Sequence, residues 1–269
     1  MTEQSASFTG SIPEYYDKGL GPVLFEPYAR DLVARIDGRA GMRVLEIAAG
    51  TGIVTRRLRE RLPGNATLVA TDLNQAMLDL ARARLEGVTG IEYRVADAQE
   101  LPFPDASFDA VVCQFGIMFV PDKDKAAREA FRVLAPGGRL LLNSWDAIER
   151  NAFMRVAHET ITALYPDDPP QFYKVPFGYA DPVEIQNLLG RTGFKDVKVE
   201  NVKVEARAPE ARLFARGLVD GNPVSLAIQE RGGTLPPVVD KLVASLRKEF
   251  GEDPLVSTFQ AWVATGTKP

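Results

Sequence analysis

The chain has 269 residues, 45% of them hydrophobic, which is enough to bury a full core in one large domain or in one with an added subdomain. Its 36 acidic and 32 basic residues leave a formal charge of −4, so no global basic field draws nucleic acid or an anionic membrane. One cysteine, Cys113, and one histidine, His158, exclude an internal disulfide and make a structural zinc site unexpected.

Residues 1–12 are small and polar and are expected to be mobile, with neither the basic nor the apolar region of a signal peptide. No uncharged apolar run approaches the roughly 18 residues that a membrane span needs, so the expectation is a soluble, cytoplasmic protein. Ile12 to Gly21 reads as a turn-rich segment carrying two adjacent tyrosines, Tyr15 and Tyr16. From Pro22 to Ile36 apolar residues recur at helical spacing, with Pro27 near a helix start or at a kink.

From Arg43 onward strands and helices alternate. Arg43–Ile47 is a strand that breaks into Ala48-Ala49-Gly50-Thr51-Gly52, and Ile53–Leu62 is its helix. Thr67–Thr71 is a second strand ending at Asp72, followed by a helix over Gln75–Leu85 with Asn74 at its N-cap. Ile91–Ala96 is a third strand ending at Asp97, Phe108–Phe115 a fourth, and Lys123–Leu134 a helix. Pro136-Gly137-Gly138 turns the chain into a strand over Arg139–Trp145. This alternation predicts a doubly wound α/β fold with a mostly parallel sheet, and near-continuous apolar strands fit burial on both faces.

Beyond Trp145 the rhythm changes. Residues 147–180 hold a helical stretch and a loop rich in proline and aromatics, with Phe172, Tyr173, Phe177 and Tyr179. Pro182–Thr192 is a helix, Phe194–Val204 a strand, and 209–250 helical again, broken by Gly232-Gly233 and Pro236-Pro237. A strand-like run, Val256–Thr265, ends the chain. The expected division is a cofactor-binding domain made of 1–146, 181–208 and 251–269, with 147–180 and 209–250 as helical cap inserts that bind substrate.

In an open α/β sheet, ligands bind outside the carboxyl ends of the strands. Glu46 with the Gly50/Gly52 turn, Asp72, Asp97 and Gln114 all fall there. The glycines let backbone approach a ligand, and a carboxylate closing the second strand accepts from ribose hydroxyls. A dinucleotide site wants G-x-G-x-x-G, yet Thr55 stands where the third glycine belongs. Glu46 inside the first strand suits a positively charged ligand without phosphates.

These stretches, V-L-E-I-A-A-G-T-G, T-D-L-N, V-A-D-A-Q-E-L-P-F, F-D-A-V-V-C-Q-F and L-A-P-G-G-R-L, resemble the successive motifs of class I S-adenosylmethionine-dependent methyltransferases. The resemblance is to the small-molecule group related to ubiquinone/menaquinone-biosynthesis methyltransferases, and it covers roughly residues 43–145. It implies a Rossmann-like sheet, S-adenosyl-L-methionine as cofactor and a small-molecule methyl acceptor, with no nucleic-acid partner. It also implies roles. Glu46 orders the glycine turn near the methionine amine, while Ala48, Gly50 and Gly52 bring backbone to the cofactor. Asp72 holds the ribose, Leu73 and Met77 flank the adenine, and Asp97 with Ala98 meets the adenine amino group. Gln114 and Phe115 face the methionine portion, and Tyr15 and Tyr16 either close over the cofactor or pack on the domain. Ala48 departs from the family pattern, which has a glycine there.

His158, whose ordinary pKa lies near neutrality, is the candidate general base, although its helical stretch with Phe153, Val156 and Ile161 equally suits packing. Two other readings compete: an NAD(P)-dependent oxidoreductase, and a non-catalytic module that binds S-adenosylmethionine. The acceptor, the atom methylated and the oligomeric state are not legible in the sequence.

Overall fold

The computed structural model describes residues 12–269; the expectations placed on residues 1–11, a mobile lead-in without a signal peptide, lie outside the described residues. Seven strands form one sheet: β1 (Arg43–Ile47), β2 (Thr67–Asp72), β3 (Ile91–Val95), β4 (Phe108–Gln114), β5 (Leu134–Trp145), β6 (Lys195–Ala208) and β7 (Leu255–Thr267). Their order is β3-β2-β1-β4-β5-β7-β6. The first five run parallel and β7 is antiparallel to both of its neighbours. This is the Rossmann-like, mostly parallel sheet expected from the alternating pattern. Val44, Leu45, Val111 and Val112 are fully buried, because helices cover both faces of the central strands.

One layer holds α2 (Glu26–Ala34), α3 (Ile53–Arg61) and α4 (Gln75–Arg84); the other holds α5 (Lys123–Val133) and α7 (Pro182–Thr192). The strand order reverses at β1, whose neighbours are β2 and β4. The crevice outside the carboxyl ends of β1 and β4 is therefore the place for a ligand.

Three expectations are corrected. The segment from Ile12 is helical, not turn-rich: α1 (Ile12–Tyr15) leads into a π-helical run, Tyr16–Phe25, and then directly into α2. Tertiary contact overrides the local turn signal here. A Cβ on Gly19 would lie 2.6 Å from the Gly217 Cα, so the two backbones pack directly. Pro136-Gly137-Gly138 lies within β5 as an irregular start, not a turn before it, because Lys268 pairs with Gly137 and Gly138 through backbone hydrogen bonds of 2.8 and 2.9 Å. Pro236 and Pro237 do not break a helix but open α10 (Leu235–Phe250), in the first turn where a missing N–H costs nothing.

The unforeseen break comes at Asp220–Pro223, between α8 (Ala211–Val219) and α9 (Val224–Glu230). Asn222 Nδ2 donates there to the Gly217 and Leu218 carbonyls (3.1 Å each), satisfying the open end of α8. α10 packs on both α8 and α6 (Ala152–Ala163), so the residues following Trp145 and those following Ala208 meet. Among the described residues no helix is long and apolar enough to cross a membrane, and no three His, Cys, Asp or Glu side chains are grouped to hold a metal.

Candidate functional site

The turn after β1 is built from left-handed backbone. Ala48, Gly50 and Gly52 have φ of 55°, 56° and 81°, conformations that L side chains resist. The turn is held to β2: Ala49 N donates to the Thr71 carbonyl (2.9 Å) and Gly50 N to Asp72 Oδ2 (2.9 Å). Asp72 Oδ1 accepts from Asn74 N at 2.8 Å, so this buried carboxylate joins the glycine turn to the start of α4. A Cβ on Gly50 would meet nothing within 4 Å, since the residue faces an open cleft.

That cleft, about 150 Å³, runs along the carboxyl ends of β1, β2, β3 and β4. Tyr16, Ala48, Gly50, Asp72 and Leu73 line it. So do Met77, Asp97, Ala98, Gln114 and Phe115, bringing together ten of the thirteen residues singled out in the sequence. Asp97 Oδ1 accepts from Gln99 N (2.8 Å), and Gln114 Nε2 donates to the Phe25 carbonyl (3.2 Å) while its Oε1 is buried without a partner among the described residues. Phe115, at φ 51°, is fixed by Asn143, whose Oδ1 accepts from Phe115 N at 2.9 Å.

Three of the thirteen are placed elsewhere. Gly52 is not on the cleft wall. It precedes α3 where a Cβ would lie 3.0 Å from Ala81, so its absent side chain lets α3 and α4 approach. Glu46 also lies off the wall, nearly inaccessible, with Oε2 buried and unpartnered. Burial pushes its pKa up to about 8; Thr55 alongside opposes this and the nearby Asp72 charge adds to it. His158 lines no part of the cleft. It meets the Tyr173 ring edge-on at 6.3 Å, its Nδ1 is buried without a partner, and burial with the Lys174 charge holds its pKa below the ordinary value.

The Glu46 shift gives a signed prediction. The unfolded chain ionises this group above its ordinary 4.5, but the folded chain keeps its proton to about pH 8. The folded state thus binds more protons across that window, and its stability falls as pH rises from 4.5 to about 8. Thermal midpoints of wild type should decline over this range, whereas Glu46→Gln should flatten that part of the profile.

A second cavity, about 40 Å³, adjoins the cleft and shares Tyr16, Phe115 and Phe119 with it. Its walls are mostly apolar and aromatic, drawn from the π-helical run (Leu20, Leu24, Phe25), the end of β5 (Trp145) and the loop aromatics Phe172 and Phe177, with Asn222 the one amide among them. Phe115 and Trp145 stack at 3.6 Å and 9°, and Tyr16 stacks on Phe25 at 4.7 Å. Tyr173 also faces this chamber while its hydroxyl donates to the Leu218 carbonyl at 2.6 Å. Tyr179 does not reach it. Trp145 and the π-helical wall were missed from the sequence; Trp145 alone left a signal, as a large aromatic at a strand's carboxyl end. A larger groove between α8, α9 and α10, about 800 Å³, is lined by Tyr15 but by none of these thirteen residues and lies away from the strand ends.

Residues 45–142 match a family model described as a methyltransferase domain. A ubiquinone/menaquinone biosynthesis C-methyltransferase UbiE from Idiomarina loihiensis is 47% identical over 107 residues, 39% of this chain and 43% of the relative. Its counterpart from Pseudomonas fluorescens is 44% identical over 130 residues, 47% of this chain and 50% of the relative. The matched part thus spans half or less of these curated relatives. A putative methyltransferase from Bacillus halodurans superposes with a TM-score of 0.60 at 21% identity, covering 90% of this chain and 98% of that one. A possible histamine N-methyltransferase from Thermotoga maritima gives 0.57 at 20% identity, covering 96% of each. At such identity the two structures establish the shared fold. The resemblance to class I S-adenosylmethionine-dependent methyltransferases, read from the successive motifs, is borne out by these matches.

Proposed function

We propose that this chain, which resembles class I S-adenosylmethionine-dependent methyltransferases, transfers a methyl group to a small, partly apolar or aromatic acceptor that enters beside the cleft by parting the aromatic walls of the chamber, whose 40 Å³ is smaller than an aromatic ring. The observation that carries this reading is the shared wall: Tyr16, Phe115 and Phe119 border both cavities, so a donor in one and an acceptor in the other would meet there. When bound, S-adenosylmethionine supplies a methyl on a positively charged sulfur, an electrophile that needs no further activation.

The residues fit such a cofactor. Among the residues lining the cleft, Asp72 would offer carboxylate oxygens to ribose hydroxyls, Leu73 and Met77 would flank the adenine, and Asp97 with Ala98 would meet its amino group. Ala48 and Gly50 would bring backbone close to the ligand, and Gln114 Oε1, without a partner among the described residues, would accept at the methionine end. Glu46 and Gly52 shape the turn from behind; Glu46 is neutral there below about pH 8, and a cationic ligand nearby would favour its ionised form. The protein's part in the reaction is alignment and exclusion of water by the aromatic walls, a contribution of several kcal/mol.

His158 has no part in this reading, since it lies off both cavities. His158→Ala is expected to leave methyl transfer within about twofold of wild type; a loss near 100-fold, the usual size of a general-base contribution, would restore it as the base. We further propose that the helices following Trp145 and Ala208, over 147–180 and 209–250, act as the substrate cap, and that the protein works in the cytoplasm. Calorimetry with S-adenosylhomocysteine and with NADH tests the cofactor. Binding of the first is expected, and binding of NADH alone would replace this reading with the oxidoreductase one.

A further inference from the structure

One polar cluster beside the glycine turn, off the cleft wall, has no part in the reading above. Arg84 on α4 donates through Nη1 to the Thr51 carbonyl (2.9 Å), to Thr51 Oγ1 (3.2 Å) and to Asp17 Oδ1. Thr51 Oγ1 in turn donates to Asp17 Oδ1 at 2.8 Å. Three elements are thereby tied at one point: α4, the glycine turn and the π-helical run. The cluster is sheltered, with side-chain exposures of 15% for Asp17 and 30% for Arg84 and a buried Thr51, so salt screens it less than a surface pair.

Its neighbours give the cluster leverage. Thr51 lies between Gly50, on the cleft wall, and Gly52. Asp17 follows Tyr16, one of the three residues that border both cavities, and the same π-helical run supplies Leu20, Leu24 and Phe25 to the chamber. On its other side this run rests backbone to backbone on the cap: added Cβ atoms on Gly19 and Gly221 would lie 2.6 Å from Gly217 Cα and 2.5 Å from Tyr16 N. The run is thus clamped between cap and turn, and a π-helix, uncommon at such length, marks a segment held by its surroundings.

We propose that Asp17, Arg84 and Thr51 are positioning residues: together they latch the π-helical run to the glycine turn, so that a ligand settling against the turn moves Tyr16 and reshapes the acceptor chamber. The proposal rests on the methyl-transfer reading above. No bond is made or broken by the latch; it couples two binding events through one element.

Trp145 stands in the chamber and reports on its shape. With Trp262→Phe as parent it is the sole tryptophan of the two in the chain. S-adenosylhomocysteine is expected to change Trp145 emission in this parent, with the same midpoint as calorimetry. Thr51→Val keeps shape and burial but removes the shared hydroxyl; it should reduce the emission change to less than about half while calorimetric affinity stays within about threefold. Asp17→Asn should do the same, and Thr51→Ser, which retains the hydroxyl, should restore the parental response. An undiminished response in either Thr51→Val or Asp17→Asn overturns the latch, as does a Thr51→Ser response no better than that of Thr51→Val, and as does calorimetric binding to the parent without a change in Trp145 emission. No binding of S-adenosylhomocysteine to the parent would instead overturn the methyl-transfer reading on which the latch depends.

Discussion

Asp72→Ala is expected to weaken S-adenosylhomocysteine binding by about 2–3 kcal/mol, roughly 30- to 160-fold, the cost of losing hydrogen bonds to a charged group. The carboxylate has two duties that this substitution removes together. It accepts from Gly50 N and Asn74 N, fixing the turn against α4, and in the proposed site it also accepts from the ribose hydroxyls. Two further measurements separate these duties. The thermal midpoint of the ligand-free variant reports the turn's share. A 2′-deoxy analogue of S-adenosylhomocysteine reports the ribose's share: the parent should discriminate against it, and Asp72→Ala should bind both analogues alike. If the parent binds both equally, the ribose lies elsewhere and the second strand's end is only structural.

The sequence revealed most where chemistry is local. Glycines at a strand end and acids closing the second and third strands mark the cleft because each function sits within a few residues of its strand, and the sheet order then brings the ends together. Glu46 and Gly52 show the limit of that logic. Both occupy motif positions, but the burial of the Glu46 carboxylate and the contact of Gly52 with Ala81 depend on α3 and α4 as packed, which spacing does not encode. The chamber was still less legible. Its walls come from the π-helical run, the end of β5 and a loop near residue 172, segments far apart in sequence that only the tertiary fold gathers. The run itself was misread for the same reason: Gly19 and Gly21 look like turn residues until the Gly217 backbone is placed against one of them.

The largest coupled effect is expected between Ala48 and Gly116, which face each other on the cleft wall. Gly116 has φ −102°, a value any residue adopts, so its lack of a side chain is a matter of space. A Cβ there would lie 2.5 Å from Ala48 Cβ and 2.8 Å from Cys113 Sγ. Gly116→Ala should therefore destabilise the fold by about 1–3 kcal/mol through overpacking alone. Ala48, for its part, holds φ 55°, where glycine is favoured and where the resembled family has one. Ala48→Gly relieves about 1 kcal/mol of backbone strain but adds a similar entropic loss, so alone it should be near neutral. Combining them removes the Ala48 methyl from the path of the new one, and the double variant should be at least about 1 kcal/mol more stable than Gly116→Ala alone. Urea unfolding of the four proteins measures this non-additivity; strictly additive effects would mean that the two positions do not share that space. The double variant also carries the methyl across the wall, from the turn after β1 to the end of β4. If it regains stability but not S-adenosylhomocysteine affinity, the ligand needs its room beside Gly116. If it regains both, the alanine at the family's first glycine and the glycine after the fourth strand are one compensated pair, and the departure from the motif leaves the pocket's volume unchanged.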